Sequence, residues 1–292
     1  MKPTVISVPY RYDQFEEGLG LGPGHLLTAG LSSLAGSVLQ AHLDEKSIDE
    51  DRTAVNIGRL GRSTARLVAQ ARSAGEPVLV IAGDDTASVG VVSGIQQSDG
   101  ATRRLGVIWI DAHGDFNTPE SSYSGILAGM PLAVIGGLAG PRWRDASDFS
   151  AGIPGERMLL VGVRDIDKAE DDLIRAHHVQ RVTGREASDI GLVTGAITAL
   201  ANQCELLFVN IDLDVLDPHL VPSSTTPSAS GLTIEQLVAV LKVATATGKV
   251  AVICVTSLNP LGGTRGKRSV QSAWAVVSGL LADWTSVPGL PR

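Results

Sequence analysis

LGVIWIDAHGDFN, residues 105–117, joins an apolar run to a dense polar cluster, and the junction is informative on both sides. The run 105–110 is continuously apolar rather than alternating, the pattern of a strand buried on both faces of a parallel sheet. The cluster follows at the C-terminal end of that run, which is where open α/β sheets bind ligands. In an extended segment alternate residues point to one side, so Asp111, His113 and Asp115 can grip the same object.

Further along, LLFVNIDLDVLDP at 206–218 has the same design, an apolar run 206–211 ending in Asp212, Asp214 and Asp217. Upstream, the run 77–82 ends in Gly83-Asp84-Asp85. Similar runs at 4–9, 158–163 and 250–255 complete six predicted strands. Between them, helical spacing of apolar residues predicts helices over 26–43, 54–74, 126–138, 192–203, 234–244 and 269–281. Strands alternating with helices imply βαβ units, hence a three-layer α/β/α fold on a mostly parallel sheet. No repeat, low-complexity segment or linker divides the chain, so 1–292 reads as one domain. Gly-rich patches at 18–24 and 136–140 read as loops or helix ends, residues 44–51 as a solvated acidic turn and cap, and the closing VPGLPR as a frayed tail.

Composition narrows the function classes. A net charge of −7, with no basic run carrying interleaved aromatics, argues against nucleic acid or an anionic membrane as partner. No apolar run reaches the ~18 residues that span a bilayer, and MKPTVISVPYRYDQ lacks the plan of a secretory leader. The reading is a cytoplasmic protein acting on a small molecule. Cys204 and Cys254 lie in or beside apolar stretches and make neither a disulfide framework nor a zinc ribbon.

A single carboxylate at a strand end is an ordinary turn or cap residue. Three clusters at three strand ends are different, because five or six carboxylates in one crevice repel strongly unless cations neutralise them. Oxygen-rich ligation with one imidazole suits Mn²⁺ or a similar divalent ion better than zinc.

At this point the sequence resembles the ureohydrolase family of arginase, agmatinase and formimidoylglutamase. WIDAHGDFNTPE (109–120) resembles the family's D-A-H-x-D-x-N motif, and FVNIDLDVLDP (208–218) its D-x-D-x-x-D-P motif. Thr226-Pro227, Gly231-Leu232-Thr233 and Leu258-Asn259-Pro260 also match in place, as do IAGDD (81–85), SGILAGMPL (124–132) and VGVRDID (161–167). The resemblance implies an arginase-like fold and two Mn²⁺ per chain, or one if Asp85 does not coordinate. Asp111 and Asp212 would bridge the metals, Asp115 and Asp85 complete the first site, and His113 and Asp214 complete the second. A hydroxide held between the metals would attack a guanidino or amidino carbon, with Asp115 passing its proton to the departing amine. Asn117, Ser124 and Asp167 match residues that hold the ends of an amino-acid substrate, and Thr226 matches a pocket residue. A homotrimer or hexamer is also implied.

Three positions depart from the pattern within the chemistry. Asp85 stands where the family has a histidine ligand, Ala128 replaces a proton-relaying histidine, and Ser257 replaces a glutamate that pairs with the guanidinium. Ile126 also replaces an asparagine of the carboxylate-binding loop. An unpaired buried guanidinium is costly, so the expected substrate is less basic than arginine, such as an N-hydroxyguanidine or a formimino compound. The competing reading is a catalytically impaired relative that binds a ligand or serves in an assembly. His25, His42, His177 and His178 read as surface histidines, while His219, nearer the site, reads as a solvated loop histidine with a substitute relay as the lesser alternative. Glu170 reads either as facing a substrate's amino end or as a solvated helix-start carboxylate, and Trp109 as core.

Overall fold

The computed structural model describes residues 2–49 and 52–284. Among the described residues ten strands form: β1 Thr4–Val8, β2 Tyr10–Arg11, β3 Gln14–Phe15, β4 Ser37–Gln40, β5 Val78–Ala82, β6 Leu105–Ile110, β7 Met158–Val163, β8 Gln180–Thr183, β9 Leu206–Asp212 and β10 Val250–Thr256. Eight make one all-parallel sheet in the order β4-β1-β5-β10-β9-β6-β7-β8, and β2 pairs with β3 as a small antiparallel hairpin. All six predicted strands are present. The central ones are buried along their whole length because helices cover both faces of the sheet.

Neighbouring residues on each strand enter opposite cores. Ile6, Val80, Val107 and Phe208 pack with the helices Thr53–Ser73 and Ala87–Asp99, while Val5, Leu79, Ile108 and Val209 pack with Ile190–Gln203, Ile234–Ala246 and Thr264–Asp283. That period-two division gives the three-layer α/β/α arrangement. Both cysteines are free and buried.

Two predicted helices are corrected. Over 26–43 the helical path is interrupted at Gly30 (φ 138), where a Cβ would press on the Trp274 ring, and the segment then becomes β4. Over 126–138 only a turn at Leu127–Gly129 and a short helix Pro131–Ile135 form, since Pro131 has no N–H to continue a helix from upstream. The edge strands β4 and β8 had no apolar signature, because three of four β4 residues and two of four β8 residues are exposed. Gly18–Leu21 and Gly22–Leu26 form short helical turns, as the glycine-rich patch suggested. Asp44 caps such a turn at Glu45–Ser47. The last two residues of the acidic run, 50 and 51, and the tail 287–292 lie outside the described residues.

Candidate metal centre

The four middle strands, β5, β10, β9 and β6, end side by side, and each delivers polar residues to the same crevice. Two overlapping groups of possible ligands result, Asp85 with Asp111 and Asp115, and Asp111 with His113 and Asp214. In each group the donor atoms lie within 4.8 Å of one another, and Asp111 belongs to both. Asp212 falls outside both groups. Its Oδ1 accepts from the Asp214 N–H at 2.7 Å, and its carboxyl lies against that of Asp85.

Local folding sets these directions. His113 N–H donates to Asp111 Oδ1 at 2.7 Å within the β6 loop, and Ala112 N–H donates to Asp214 Oδ1 at 3.3 Å, tying that loop to the one after β9. Trp109, fully buried as expected of a core residue, also donates its indole N–H to Asp111 Oδ2 at 3.0 Å. Asp115 adopts a left-handed φ of 48, uncommon for a residue with a side chain. Arg164 donates to the carbonyls of Asp214, Val215 and Ser228, holding the β9 loop from outside.

Asp85 points inward. Its Oδ1 accepts from Asn210 Nδ2 and Thr256 Oγ1, both at 2.7 Å, and its Oδ2 from Ser257 Oγ at 3.0 Å. Asn210 is itself oriented by Ser88, whose hydroxyl donates to its Oδ1 at 2.8 Å. Oδ1 therefore has both lone pairs engaged, and Oδ2 keeps one free. The adjacent Asp84 turns away, accepting from the N–H groups of Tyr12 and Thr86 at 2.7 and 3.0 Å.

The electrostatics fit divalent cations. Burial first, then the charge of Asp214, pushes Asp111 up to about 7. Burial and the charges of Asp111 and Asp85 hold Asp115 well above the ordinary carboxylate range, and burial with Asp214 and Asp85 does the same to Asp212. Burial works against the His113 imidazolium, yet the carboxylates of Asp111 and Asp214 push it up to about 12. Despite its own burial, Asp214 is held below the usual range by His113 and Thr226. His113 Nδ1 sits 3.3 Å from Asp111 Oδ1 and 3.2 Å from Asp214 Oδ2, so a proton is held where one imidazole nitrogen and two carboxylate oxygens converge. Protons here occupy places a cation can take, and the donor set of carboxylate oxygens and one imidazole suits manganese-type ions.

A cavity of about 380 Å³ opens onto this cluster. Asn117, Ser124, Asp167 and Thr226 all line it, as do Ala128 and Ser257. Asn117 is buried with its Oδ1 accepting from Ser121, and Thr226 donates to Asp214 Oδ2 at 2.8 Å. Glu170 departs from the solvated reading, being 4 % exposed with Oε1 accepting from Phe116 N–H at 2.8 Å. Burial, opposed by that N–H, raises its carboxyl to about 7. His219 is exposed and away from the cavity lining, which removes it as a substitute relay. Asn210, Thr256, Arg11 and Tyr12 escaped the sequence reading, and Arg164 entered it only as a member of the stretch 161–167. Asn210 alone carried a signal, a polar residue inside an apolar strand.

Known proteins place this architecture. The profile of the Arginase family matches residues 2–282. Arginase from Bacillus caldovelox is 30% identical over 256 residues, 81% of this chain and 84% of that protein, and arginase from Entamoeba histolytica is 30% identical over 247 residues, 80% and 82%. The native Bacillus caldovelox arginase structure at pH 5.6 superposes with a TM-score of 0.83 at 28% identity, covering 96% of this chain and 98% of that one. Formimidoylglutamase from Bacillus subtilis shares the fold, with a TM-score of 0.76 at 19% identity over 98% and 88%. Two ligand groups sharing one aspartate, at the ends of the middle strands of this sheet, agree with the match along the chain, and the chain belongs to the arginase family of metal-dependent hydrolases.

Proposed function

We propose that the chain hydrolyses a guanidino- or amidino-type C–N bond with the help of a manganese pair, on a substrate less basic than arginine. The observation that carries this reading is Ser257. Its hydroxyl is turned to Asp85 at 3.0 Å, so the position that would offer a guanidinium its counter-charge offers none. The name shared by the relatives points to arginine, and positions 128 and 257 are where this chain parts from it.

Asp85 (through Oδ2), Asp111 and Asp115 would hold one ion, Asp111, His113 and Asp214 the other, with Asp212 joining from beside Asp85. When bound, two divalent cations acidify water enough to supply a nucleophile near neutral pH. Asp115 faces the cavity with its carboxyl raised by burial and by Asp111 and Asp85, which suits a group that takes and returns a proton. Asn117, Ser124 and Asp167 line the cavity and would orient the far end of the substrate, while Thr226 fixes the direction of Asp214. Ala128 has no proton to pass, a deficit worth about 10²–10⁴ in rate when the leaving amine is strongly basic. An N-hydroxyguanidine or a formimino compound is less basic than a guanidine and so depends less on the counter-charge that position 257 lacks.

The test is a panel with manganese-loaded protein: arginine, its N-hydroxyguanidine analogue and a formimino amino acid. We expect either of the last two to exceed arginine at least tenfold in kcat/KM. Arginine ahead of both would refute the substrate reading. Ala128 and Ser257 also favour a second reading, a catalytically impaired ligand-binding or assembly subunit, which predicts metal uptake with no turnover of any of the three. By family resemblance the assembly would be a homotrimer or hexamer, measurable by analytical ultracentrifugation.

A further inference from the structure

The β2–β3 hairpin supplies a part of the cavity wall that the proposed chemistry leaves unused. Tyr12 and Asp13 form its two-residue tip, with Tyr10 opposite Phe15 and Arg11 opposite Gln14. Tyr12 occupies that tip with φ 58, a left-handed conformation that two-residue hairpin loops normally give to glycine or asparagine. It is held there from both sides by buried groups. Asp84 accepts the Tyr12 N–H at 2.7 Å, and Asn56 donates to Asp13 at 2.8 Å. Gly83 lets β5 approach so closely that a Cβ would run into the Tyr10 carbonyl. A strained tyrosine fixed this firmly marks a side chain whose direction matters.

That direction is into the cavity, where the phenol lies against the backbone of Ala128. The Arg11 guanidinium sits 5.9 Å from the centroid of the same ring and also lines the cavity. The Arg11 side chain has no ion-pair or hydrogen-bond partner among the described residues. Among the described residues it is also the sole lysine or arginine in a lining that holds eight carboxylates. A lone guanidinium stacked over the Tyr12 ring at the cavity wall presents donors to a planar anion, the geometry that suits a carboxylate.

We propose that Arg11 and Tyr12 form an anion subsite that selects substrates bearing a carboxylate at the end remote from the reacting carbon. The inference rests on the hydrolase reading for the meaning of "reacting carbon" and adds the residues that recognise the remote end. The loop carrying Asn117, Ser124 and Ile126 offers only uncharged groups, so Arg11 supplies the counter-charge that this loop lacks. Arg11 is the specificity-determining residue, and Tyr12 holds the guanidinium over the cavity and adds one hydrogen bond.

The experiment is equilibrium calorimetry on the manganese-loaded full chain, independent of turnover, with two probes of equal length, 4-guanidinobutyrate and butylguanidine. Wild type should bind the acid about 10- to 100-fold more tightly, the range of one charge-assisted hydrogen-bonded pair, and the preference should shrink as salt rises. Arg11→Met should abolish the preference, Arg11→Lys retain part of it, and Tyr12→Phe weaken it severalfold, with butylguanidine binding unchanged in all three. No preference in wild type, or a preference that survives Arg11→Met, would overturn the subsite. Failure of the hydrolase reading looks different, as absent turnover of arginine, its N-hydroxyguanidine analogue and the formimino amino acid alongside an intact, Arg11-dependent preference in binding.

Discussion

Replacing Asp85 by asparagine is expected to move the metal-free and metal-loaded protein in opposite directions. Asp85, Asp111 and Asp115 offer oxygens within 4.8 Å of one another. Two full charges at that separation repel by about 3 kcal/mol at an effective dielectric of about 20. Asp111 is raised to about 7 and Asp115 well above the ordinary range, so near neutral pH much of the cluster is protonated and about 1–2 kcal/mol remains to be relieved. The amide keeps the acceptor geometry. Its oxygen can take the bonds from Asn210 and Thr256, and its NH₂ can donate to Ser257, whose hydroxyl both gives and accepts. In chelator, Asp85→Asn should therefore be more stable than wild type by about 1–2 kcal/mol in urea unfolding. With manganese present the order should reverse, because a lost ligand weakens binding by more than the 10- to 100-fold typical of groups that merely support a ligand. Saturation at a hundred times Kd contributes about 2.7 kcal/mol to wild type, and most of that disappears in the variant. A variant less stable in chelator, with manganese affinity unchanged by calorimetry, would show that Asp85 belongs neither to a repulsive nest nor to the ligand set.

Other outcomes follow from the same geometry. Glu170 is raised from 4.5 to about 7, so it favours the folded state below its unfolded value and loses that contribution as pH rises through about 7. In chelated protein Glu170→Gln should flatten the pH dependence of stability between pH 4.5 and 7 by about 3 kcal/mol, and an unchanged slope would contradict its burial. Ser257→Glu puts a second carboxylate where a hydroxyl now meets Asp85 at 3.0 Å, and should destabilise metal-free protein by about 2–3 kcal/mol while narrowing the gap between arginine and less basic substrates in the panel. Arg164→Met leaves several carbonyls of the β9 loop without their donor, for a loss of about 2–3 kcal/mol in urea unfolding and weaker manganese binding through a loosened Asp214.

The strands were legible where both faces are covered. β5, β6, β9 and β10 read as unbroken apolar runs because helices pack on each side, and the acidic ends of β5, β6 and β9 mark the crevice in the sequence alone. β4 was hidden inside a helical pattern because its residues face solvent and carry no periodic requirement, and the interruption at Gly30 depends on Trp274, far away in the chain. The ligand groups were legible because each motif keeps its members two residues apart. What orients them was not. The cradle of Asp85 draws on Asn210, Thr256 and Ser257, from two other strands. The burial of Glu170 depends on the loop at Gly114, where a Cβ would strike its carboxylate. Arg11 and Tyr12 reach the cavity through a contact with Asp84, and no local pattern announces a contact of that separation.

The central claim is a pair of metal ions held by these aspartates and one histidine, and elemental analysis of purified protein after manganese loading tests it most directly. Two ions per chain are expected, falling to about one in Asp85→Asn as its single free lone pair is lost. One ion or none in wild type would contradict the paired site and leave the impaired, ligand-binding reading in its place.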